Sequence, residues 1–194
     1  MSRILRAAMI LLLVASCGGG RYEPPRDLEN ACSIVKERPK YLRAFKDVER
    51  RYGVRPEVLM AMIHQESKFI GNARTPHTYA LKIIPMGRQS SAYGYSQALD
   101  GTWEDYKRET GNRRAKRDNI KHATDFMGWY MAKSNAKLGI GMNDVRNQYL
   151  AYHDGHAGFA RGSYQSKTWL LAVADNVQTR ALTYGVQLQT CSRR

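Results

Sequence analysis

A single glutamate, Glu66, stands where acid–base chemistry would need it. The stretch Pro56–Ser67 begins with a proline suited to the first position of a helix, because its missing N–H is unpaired there anyway. Leu59, Met62 and Ile63 recur at helical spacing, and Glu66 continues their apolar stripe. A carboxyl group on such a stripe is hard to ionise. Glu66 is therefore a candidate proton donor; the alternative is an ordinary helix-end glutamate that reaches water.

Apolar periodicity organises the residues around Glu66 into helices. Together with proline, glycine and polar residues at the ends, it predicts these helices: Pro39–Tyr52 ended by Gly53, Pro56–Glu66, one beginning near Gly101 and Thr102, one capped by Asp118 and ended at Gly139 to Gly141, one capped by Asn143 or Asp144 and running to Gly155, and one from about Lys167 to Cys191. The sequence therefore predicts a mainly α domain.

The segment between Ser67 and Gln97 breaks this helical pattern. Glycine and proline interrupt it repeatedly, and only the stretch Tyr79–Ile84 has strand character. Irregular segments of this length in a compact domain usually line a binding site or are disordered. The tyrosines in this segment favour a binding site, so we expect it to line a cleft.

The first residues of the chain read as an export signal. Arg3 and Arg6 precede the apolar run Ala7–Ala15, which is too short to span a bilayer as a permanent helix. The Val-Ala-Ser-Cys sequence ending at Cys17 resembles a bacterial lipobox, and this resemblance implies that Cys17 is lipidated and becomes the mature N-terminus. The alternative is a plain secretory signal with an incidental cysteine.

These signals divide the chain into three parts: a signal peptide over residues 1–16, a lipid anchor with a flexible tether over residues 17–30, and one domain over residues 31–194. Gly18 stands where lipoproteins retained in the inner membrane often have aspartate. The resemblance therefore favours attachment to the outer membrane, facing the periplasm, in a cell with two membranes. We expect a monomer held beside the cell wall by its lipid.

The remaining cysteines agree with export. Cys32 and Cys191 lie near opposite ends of the domain, and an oxidising compartment favours a disulfide between them. Two free thiols are the alternative. Two cysteines so far apart lack the spacing of a metal site.

The formal net charge of +14 narrows the range of partners. In the cytoplasm it would favour nucleic acid, but outside it the polyanions are phospholipid heads, lipopolysaccharide and the carboxylates of wall peptides. The basic run Lys107–Arg117 adjoins a single aromatic residue, Tyr106, so we interpret the run as a solvated face and predict no nucleic-acid partner. The five histidines form no metal motif, and we predict neither a metal nor another cofactor.

Three motifs in chain order connect Glu66 to a known family. They are Glu66-Ser67 at a helix end, Gly94-Tyr95-Ser96-Gln97 in a turn, and Ala151-Tyr152-His153-Asp154-Gly155 at a second helix end. Together they resemble the soluble lytic transglycosylase domain, a lysozyme-like family that cleaves the glycan strands of peptidoglycan. The resemblance covers residues 42–164 and implies a lysozyme-like, mainly α (α+β) fold with an irregular cleft-lining segment.

The resemblance also implies roles for individual residues. Glu66 is the only catalytic carboxylate, and the substrate-binding residues are Ser67, Gly94, Tyr95, Gln97, Tyr152 and His153. The tyrosine of the third motif, Tyr152, is expected near the catalytic carboxyl. His153 stands where the family usually has asparagine, so a polar contact there is altered or sensitive to pH. Ser67 either assists Glu66 by hydrogen bonding or is a helix-end hydroxyl, and Tyr93, Tyr95 and Trp103 either stack on sugars or belong to the core.

The chemistry that the resemblance implies needs one carboxyl group. Cleavage of a glycosidic bond requires an acid that protonates the leaving oxygen, and an apolar pocket keeps a carboxyl protonated at neutral pH. In the family, the 6-hydroxyl of the muramyl sugar then attacks the anomeric carbon of the β-1,4 bond between MurNAc and GlcNAc, and a 1,6-anhydroMurNAc end is released. Intramolecular attack replaces a bound water, since the nucleophile is held at high effective molarity.

Two rival functions remain open at the level of sequence. If Asp100 points into the cleft, it could serve as a second acid and the domain would be a hydrolytic muramidase; the alternative for Asp100 is capping of the next helix. The other rival is a non-catalytic, peptidoglycan-binding lipoprotein that keeps the cleft.

Overall fold

The computed structural model of the chain describes residues 22–80 and 84–191. The predicted signal peptide and Cys17 lie outside these residues. The elements, in chain order, are α1 (Ala31–Glu37), α2 (Pro39–Tyr52), α3 (Pro56–Ser67), β1 (His77–Ala80), β2 (Ile84–Arg88), α4 (Asp100–Thr110), α5 (Ile120–Leu138), α6 (Val145–Ala160), a 3₁₀ turn (Ser163–Ser166) and α7 (Thr168–Cys191). The predicted mainly α, lysozyme-like fold class is confirmed.

Helix α3 lies at the centre of the domain. The sequence predicts one apolar stripe on it, but Met60 and Ala61, outside that stripe, are as fully buried as Leu59, Met62 and Ile63. A helix that is apolar all round must be covered on every side, and α2 and α7 both pack against it. His64 and Ser67, near its end, are consequently buried although they are polar.

The other long helices form the frame around α3. Helix α5 crosses α2 closely, because Gly128 leaves no side chain where a Cβ would come within 2.5 Å of the Tyr52 ring. Helix α6 packs against both α5 and α7. The frame therefore holds α6, with its tyrosines, in a defined position relative to the end of α3.

The segment after α3 contains a short hairpin. Two consecutive residues with left-handed backbone, Lys68 and Phe69, turn the chain away from the helix axis. Strands β1 and β2 then pair antiparallel, with an irregularity between Thr78 and Tyr79. The strand character predicted around residues 79–84 is confirmed, although the strands extend beyond that stretch on both sides.

The two ends of the domain are joined. Cys32 in α1 and Cys191 at the end of α7 form the predicted disulfide, with their Cα atoms 5.8 Å apart. The described part of the predicted tether contacts the domain, because the Tyr22 hydroxyl donates to Asp118 across 2.8 Å and Glu29 pairs with Arg180.

Several predicted helix ends need correction. The N-cap of α5 is Asn119, whose side chain accepts from the backbone N–H groups of residues 121 and 122; Asp118 is instead engaged by Tyr22. Of the two candidates for α6, Asp144 is the cap. Helix α1 was not anticipated. The end predicted at Gly155 is confirmed in part: this glycine has a non-helical backbone, with a φ of 74° and a ψ of 157°, and it joins two helical segments of α6 at a kink.

Candidate active site

Glu66 lies in the last turn of α3, where burial raises the pKa of its carboxyl group to about 7. The physical cause is desolvation, which disfavours the charged form. At a pH near neutral, such a carboxyl is present in both its protonated and its ionised forms. The carboxyl group is therefore desolvated, as the apolar stripe predicts, while the residue as a whole is partly accessible at the end of the helix.

Tyr149, which sequence reasoning did not select, is the hydrogen-bond partner of Glu66. This interaction lowers the pKa of the carboxyl and opposes part of the effect of burial. In turn, burial and the adjacent carboxyl raise the pKa of Tyr149, so its hydroxyl remains protonated and able to donate. Tyr149 lies three residues before Tyr152, a spacing that places both on one face of α6, and this spacing was the available signal.

Tyr152 approaches the same site, as the family resemblance implies. Its pKa is raised well above the ordinary value, first by burial and then by the charge of Glu66. Its hydroxyl donates to the backbone oxygen of Ser96 across 2.5 Å. Tyr152 therefore connects α6 to the turn formed by residues 94–97, while Tyr149 contacts the carboxyl.

Ser67 joins the end of α3 to this turn. Its hydroxyl lies 2.9 Å from the backbone oxygen of Tyr95 and 3.3 Å from that of Ile63. Since the side chain is 5% exposed and donates to main-chain oxygens, the structure gives it a positioning role. The predicted contact of Ser67 with substrate stays a prediction.

Gly94 permits the turn to approach the loop before α5. Its φ is +80°, and an added Cβ would lie 2.2 Å from the backbone oxygen of Arg117. The next residue, Tyr95, donates its N–H to the same oxygen across 3.2 Å. A glycine is needed here on both counts, because other residues rarely adopt this φ and no side chain would fit.

Gln97 stabilises the turn with one end of its amide. The side-chain nitrogen donates to the oxygens of Gly94, at 2.8 Å, and Ala73, at 3.0 Å. Gln97 itself has a φ of 48°, in the left-handed region. Within the part of the chain that the structure describes, the amide oxygen has no protein partner and is the end available to an N–H group of a ligand.

The aromatic residues considered for sugar stacking lie in different environments. Tyr95 is 4% exposed, and its hydroxyl pairs with that of Tyr41, 3.1 Å away. Trp103 is also buried. These two side chains belong to the core, so the interpretation of Tyr95 and Trp103 as stacking platforms is wrong, although the backbone of Tyr95 remains part of the turn. Tyr93 lies under the guanidinium group of Arg74, 4.3 Å from its ring centre.

His153 is exposed on α6, one turn after Tyr149. Its ring is 6.4 Å from the Tyr149 ring and 5.1 Å from the ring of Trp169, centre to centre. Partial desolvation of the imidazole by its neighbours and the nearby charge of Lys167 lower its pKa, so the ring is neutral at neutral pH. The sequence did not indicate that Trp169 would be a neighbour.

Asp100, the candidate second acid, and Asp154, from the third motif, each form an ion pair with a basic side chain. Asp100 is the first residue of α4 and forms an ion pair with Arg117 at 2.7 Å. The N-cap position belongs to Leu99, so capping by the Asp100 side chain, the alternative role, is wrong. Asp154, which lies in α6 next to the kink at Gly155, is held by Lys167 and by the hydroxyl of Ser163.

Comparison with known families agrees with this geometry. A family model described as "Transglycosylase SLT domain" matches residues 5–191. The chain belongs to this family. No curated protein matches the chain.

Membership of the SLT domain family supports a lytic transglycosylase in general terms, with peptidoglycan glycan as the class of substrate. The described residues of this SLT domain lack two further features. No group of three or more His, Cys, Asp or Glu side chains in residues 22–80 and 84–191 is arranged to hold a metal ion. Over the same residues, no helix has both the length and the apolar character needed to cross a membrane.

Proposed function

We propose that this SLT domain cleaves the β-1,4 bond between MurNAc and GlcNAc without water and leaves 1,6-anhydroMurNAc ends, with Glu66 acting first as acid and then as base. The observation that carries the proposal is the pKa of Glu66, which burial raises to about 7. A group that must both give and take a proton works best with a pKa near the working pH.

The proposed reaction needs two proton transfers at one carboxyl. Glu66 donates its proton to the glycosidic oxygen as the bond from that oxygen to the anomeric carbon breaks. The carboxylate then accepts the proton of the muramyl 6-hydroxyl, whose oxygen forms the new bond to the anomeric carbon. Both protons are accounted for, and Glu66 is protonated again. The hydroxyl of Tyr149 stabilises the carboxylate between the two steps.

The environment of Glu66 favours this route over hydrolysis with a second carboxylate. Hydrolytic glycosidases usually hold two carboxyl groups roughly 5 to 10 Å apart across the scissile bond. Among the described residues, the influences on the pKa of Glu66 are burial and the Tyr149 hydrogen bond. Asp100, the candidate second acid, instead forms an ion pair with Arg117. These observations support the intramolecular nucleophile.

We further propose that the domain works in the cell envelope as a monomer, anchored to the outer membrane through a lipid on Cys17. The support is the lipobox-like sequence before Cys17 and the disulfide, which suits an oxidising compartment. Incorporation of a labelled fatty acid into the full chain, but not into its Cys17→Ser variant, is the expected result. Equal labelling of both chains would exclude this anchor.

The activity is tested with Glu66→Gln on purified peptidoglycan, with products separated by mass. Wild-type chain should release anhydro ends, and Glu66→Gln should lose at least about a thousandfold in rate, because the acid is removed. Glu57→Gln is the control: Glu57 lies in the first turn of the same helix and pairs with Arg55, so its rate should be unchanged.

Each of the other possible outcomes of this assay contradicts part of the proposal. Reducing ends in place of anhydro ends would indicate a water-using muramidase. Unchanged turnover by Glu66→Gln would remove Glu66 from the mechanism. No turnover by either chain, with binding to peptidoglycan retained, would indicate the non-catalytic wall-binding function.

A further inference from the structure

An exposed tryptophan lies beside the candidate active site. Trp169, the second residue of α7, is 55% exposed. A single exposed apolar side chain needs no explanation by itself, but the position of this one is informative. Its ring meets that of His153 nearly edge to face, with the ring centres 5.1 Å apart.

Three neighbouring rings, those of Tyr149, His153 and Trp169, connect the Glu66 carboxyl to this surface. Tyr149 hydrogen-bonds to Glu66. The Tyr149 ring is 6.4 Å from the His153 ring, which is followed by Trp169. Two ring-to-ring steps, of 6.4 Å and 5.1 Å, therefore separate Trp169 from the tyrosine that is bonded to Glu66.

The chemical groups at this surface match those of a neutral sugar. The indole offers an apolar face, which suits the C–H face of a pyranose, and an N–H donor. The neutral imidazole of His153 offers one donor and one acceptor for hydroxyl groups. Within the described residues, neither the Trp169 N–H nor the His153 nitrogens have a hydrogen-bond partner, so these groups are free for a ligand.

The charges beside Trp169 and His153 also favour a sugar as the ligand over an acidic group of the wall peptide. Lys167 is the cation next to Trp169, and its charge is met by the buried carboxylate of Asp154. A wall-peptide carboxylate would find no uncompensated cation there among these residues. The polar partners that remain are neutral.

We propose that Trp169 and His153 form a glycan subsite that holds a sugar ring of the strand away from the cleaved bond. This inference rests on the proposed function, since it extends the same strand along the surface from Glu66. It also gives a role to the histidine that replaces the family's usual asparagine: His153 holds the indole in place and binds sugar hydroxyls.

The test measures binding without turnover. Full-length chains carrying Glu66→Gln are titrated with the GlcNAc hexamer by calorimetry, with and without Trp169→Ala. Loss of the indole should weaken binding on the order of tenfold, as expected for one stacking contact. Trp169→Phe keeps an aromatic face and should retain most of the affinity, which a purely structural role would not predict. His153→Ala should weaken binding by a smaller factor.

Leu182→Ala is the matched control. Leu182 is 64% exposed on the same helix, about 20 Å further along it by the helical rise per residue. Its removal should leave hexamer binding unchanged. Equal affinity of the Trp169→Ala and Leu182→Ala chains would overturn the subsite, as would failure of the Glu66→Gln chain to bind the hexamer.

The two proposals fail in different ways. If wild-type chain releases no anhydro ends but hexamer binding depends on Trp169, the subsite stands and the proposed activity falls. If anhydro ends form normally and Trp169→Ala binds and turns over like wild type, the activity stands and the subsite falls. In turnover, the subsite predicts that Trp169→Ala raises KM while kcat changes little.

Discussion

The hydroxyl of Ser67 lies 2.9 Å from the backbone oxygen of Tyr95. This contact joins the helix that carries Glu66 to the turn of residues 94–97, and Tyr152 joins the same turn to α6 through the oxygen of Ser96. The three motifs that are far apart in sequence thus meet at one turn. The shape of this turn therefore controls how the parts of the candidate site are arranged.

Gly94→Ala should destabilise the domain and lower its activity, because the new Cβ would lie 2.2 Å from the backbone oxygen of Arg117. The control is Gly139→Ala, at a φ of +70° with no atom within 4 Å of the Cβ position. The control should lose about 1–2 kcal/mol of unfolding free energy from backbone strain alone, and Gly94→Ala distinctly more. Chemical denaturation of both chains is the measurement, and equal losses would contradict the close approach.

Tyr149→Phe should move the alkaline limb of the pH profile of kcat/KM to higher pH. The hydroxyl stabilises the charged form of Glu66 and lowers its pKa, so its removal raises that pKa and keeps the carboxyl protonated to higher pH. Tyr106→Phe, which removes a buried hydroxyl bonded to Asp125, should leave the limb in place. If the alkaline limb of Tyr149→Phe stays at the wild-type pH, Tyr149 does not influence the ionisation of Glu66.

Glu66→Gln should make the domain more stable at alkaline pH. The folded-state pKa of Glu66 is raised from 4.5 to about 7, so the native chain binds more protons than the unfolded chain between these values and stability falls as pH rises through this window. The full cost above pH 7 is on the order of 3 kcal/mol, and glutamine avoids it. The Tm of Glu66→Gln should exceed that of wild type by several degrees at pH 8 and match it near pH 4.5.

In the comparison of Glu66→Gln with wild type, the contributions of other titrating groups cancel. His64, whose pKa burial lowers to about 4, is present in both chains, so its contribution cancels in the difference of Tm. A difference that stays constant between pH 4.5 and pH 8 would show that Glu66 is not desolvated in the folded chain.

Replacing both Cys32 and Cys191 by serine should lower the free energy of unfolding by about 2–5 kcal/mol, since the bridge closes a long loop in the unfolded chain. Cleavage by the folded variant should persist, because the bridge joins α1 to the end of α7 and not to the site. The Tm of the wild-type chain in reductant should be close to the Tm of the double variant. A wild-type Tm that reductant does not change would argue against the bridge.

Much of the helical framework follows from local sequence. Pro39 and Pro56 begin α2 and α3, and Gly53 ends α2, as predicted. These signals are reliable because a cap or a proline acts on the backbone within one turn of its own position. The place of Glu66 on an apolar helix face is also local information, since the apolar residues one turn before it lie on its own helix.

Where two neighbouring residues could both cap a helix, only the tertiary structure determines which of them does. Asp118 and Asn119 are both good caps, and the outcome depends on Tyr22, which is remote in sequence and engages Asp118. Helix α1 is too short to be stable alone; it forms where the N–H of Ala31 donates to Gln187 in α7. Local patterns carry no information about such distant partners.

The sequence by itself determined the class of the fold, the disulfide pair and the glutamate that the family motif requires. The tertiary structure decided that Tyr149 meets the carboxyl, that Tyr95 turns into the core, and that Trp169 stands next to His153. The physical reason is that periodicity assigns a residue to a face of its own helix, whereas the packing of α6 against α5 and α7 determines which residue on that face reaches Glu66.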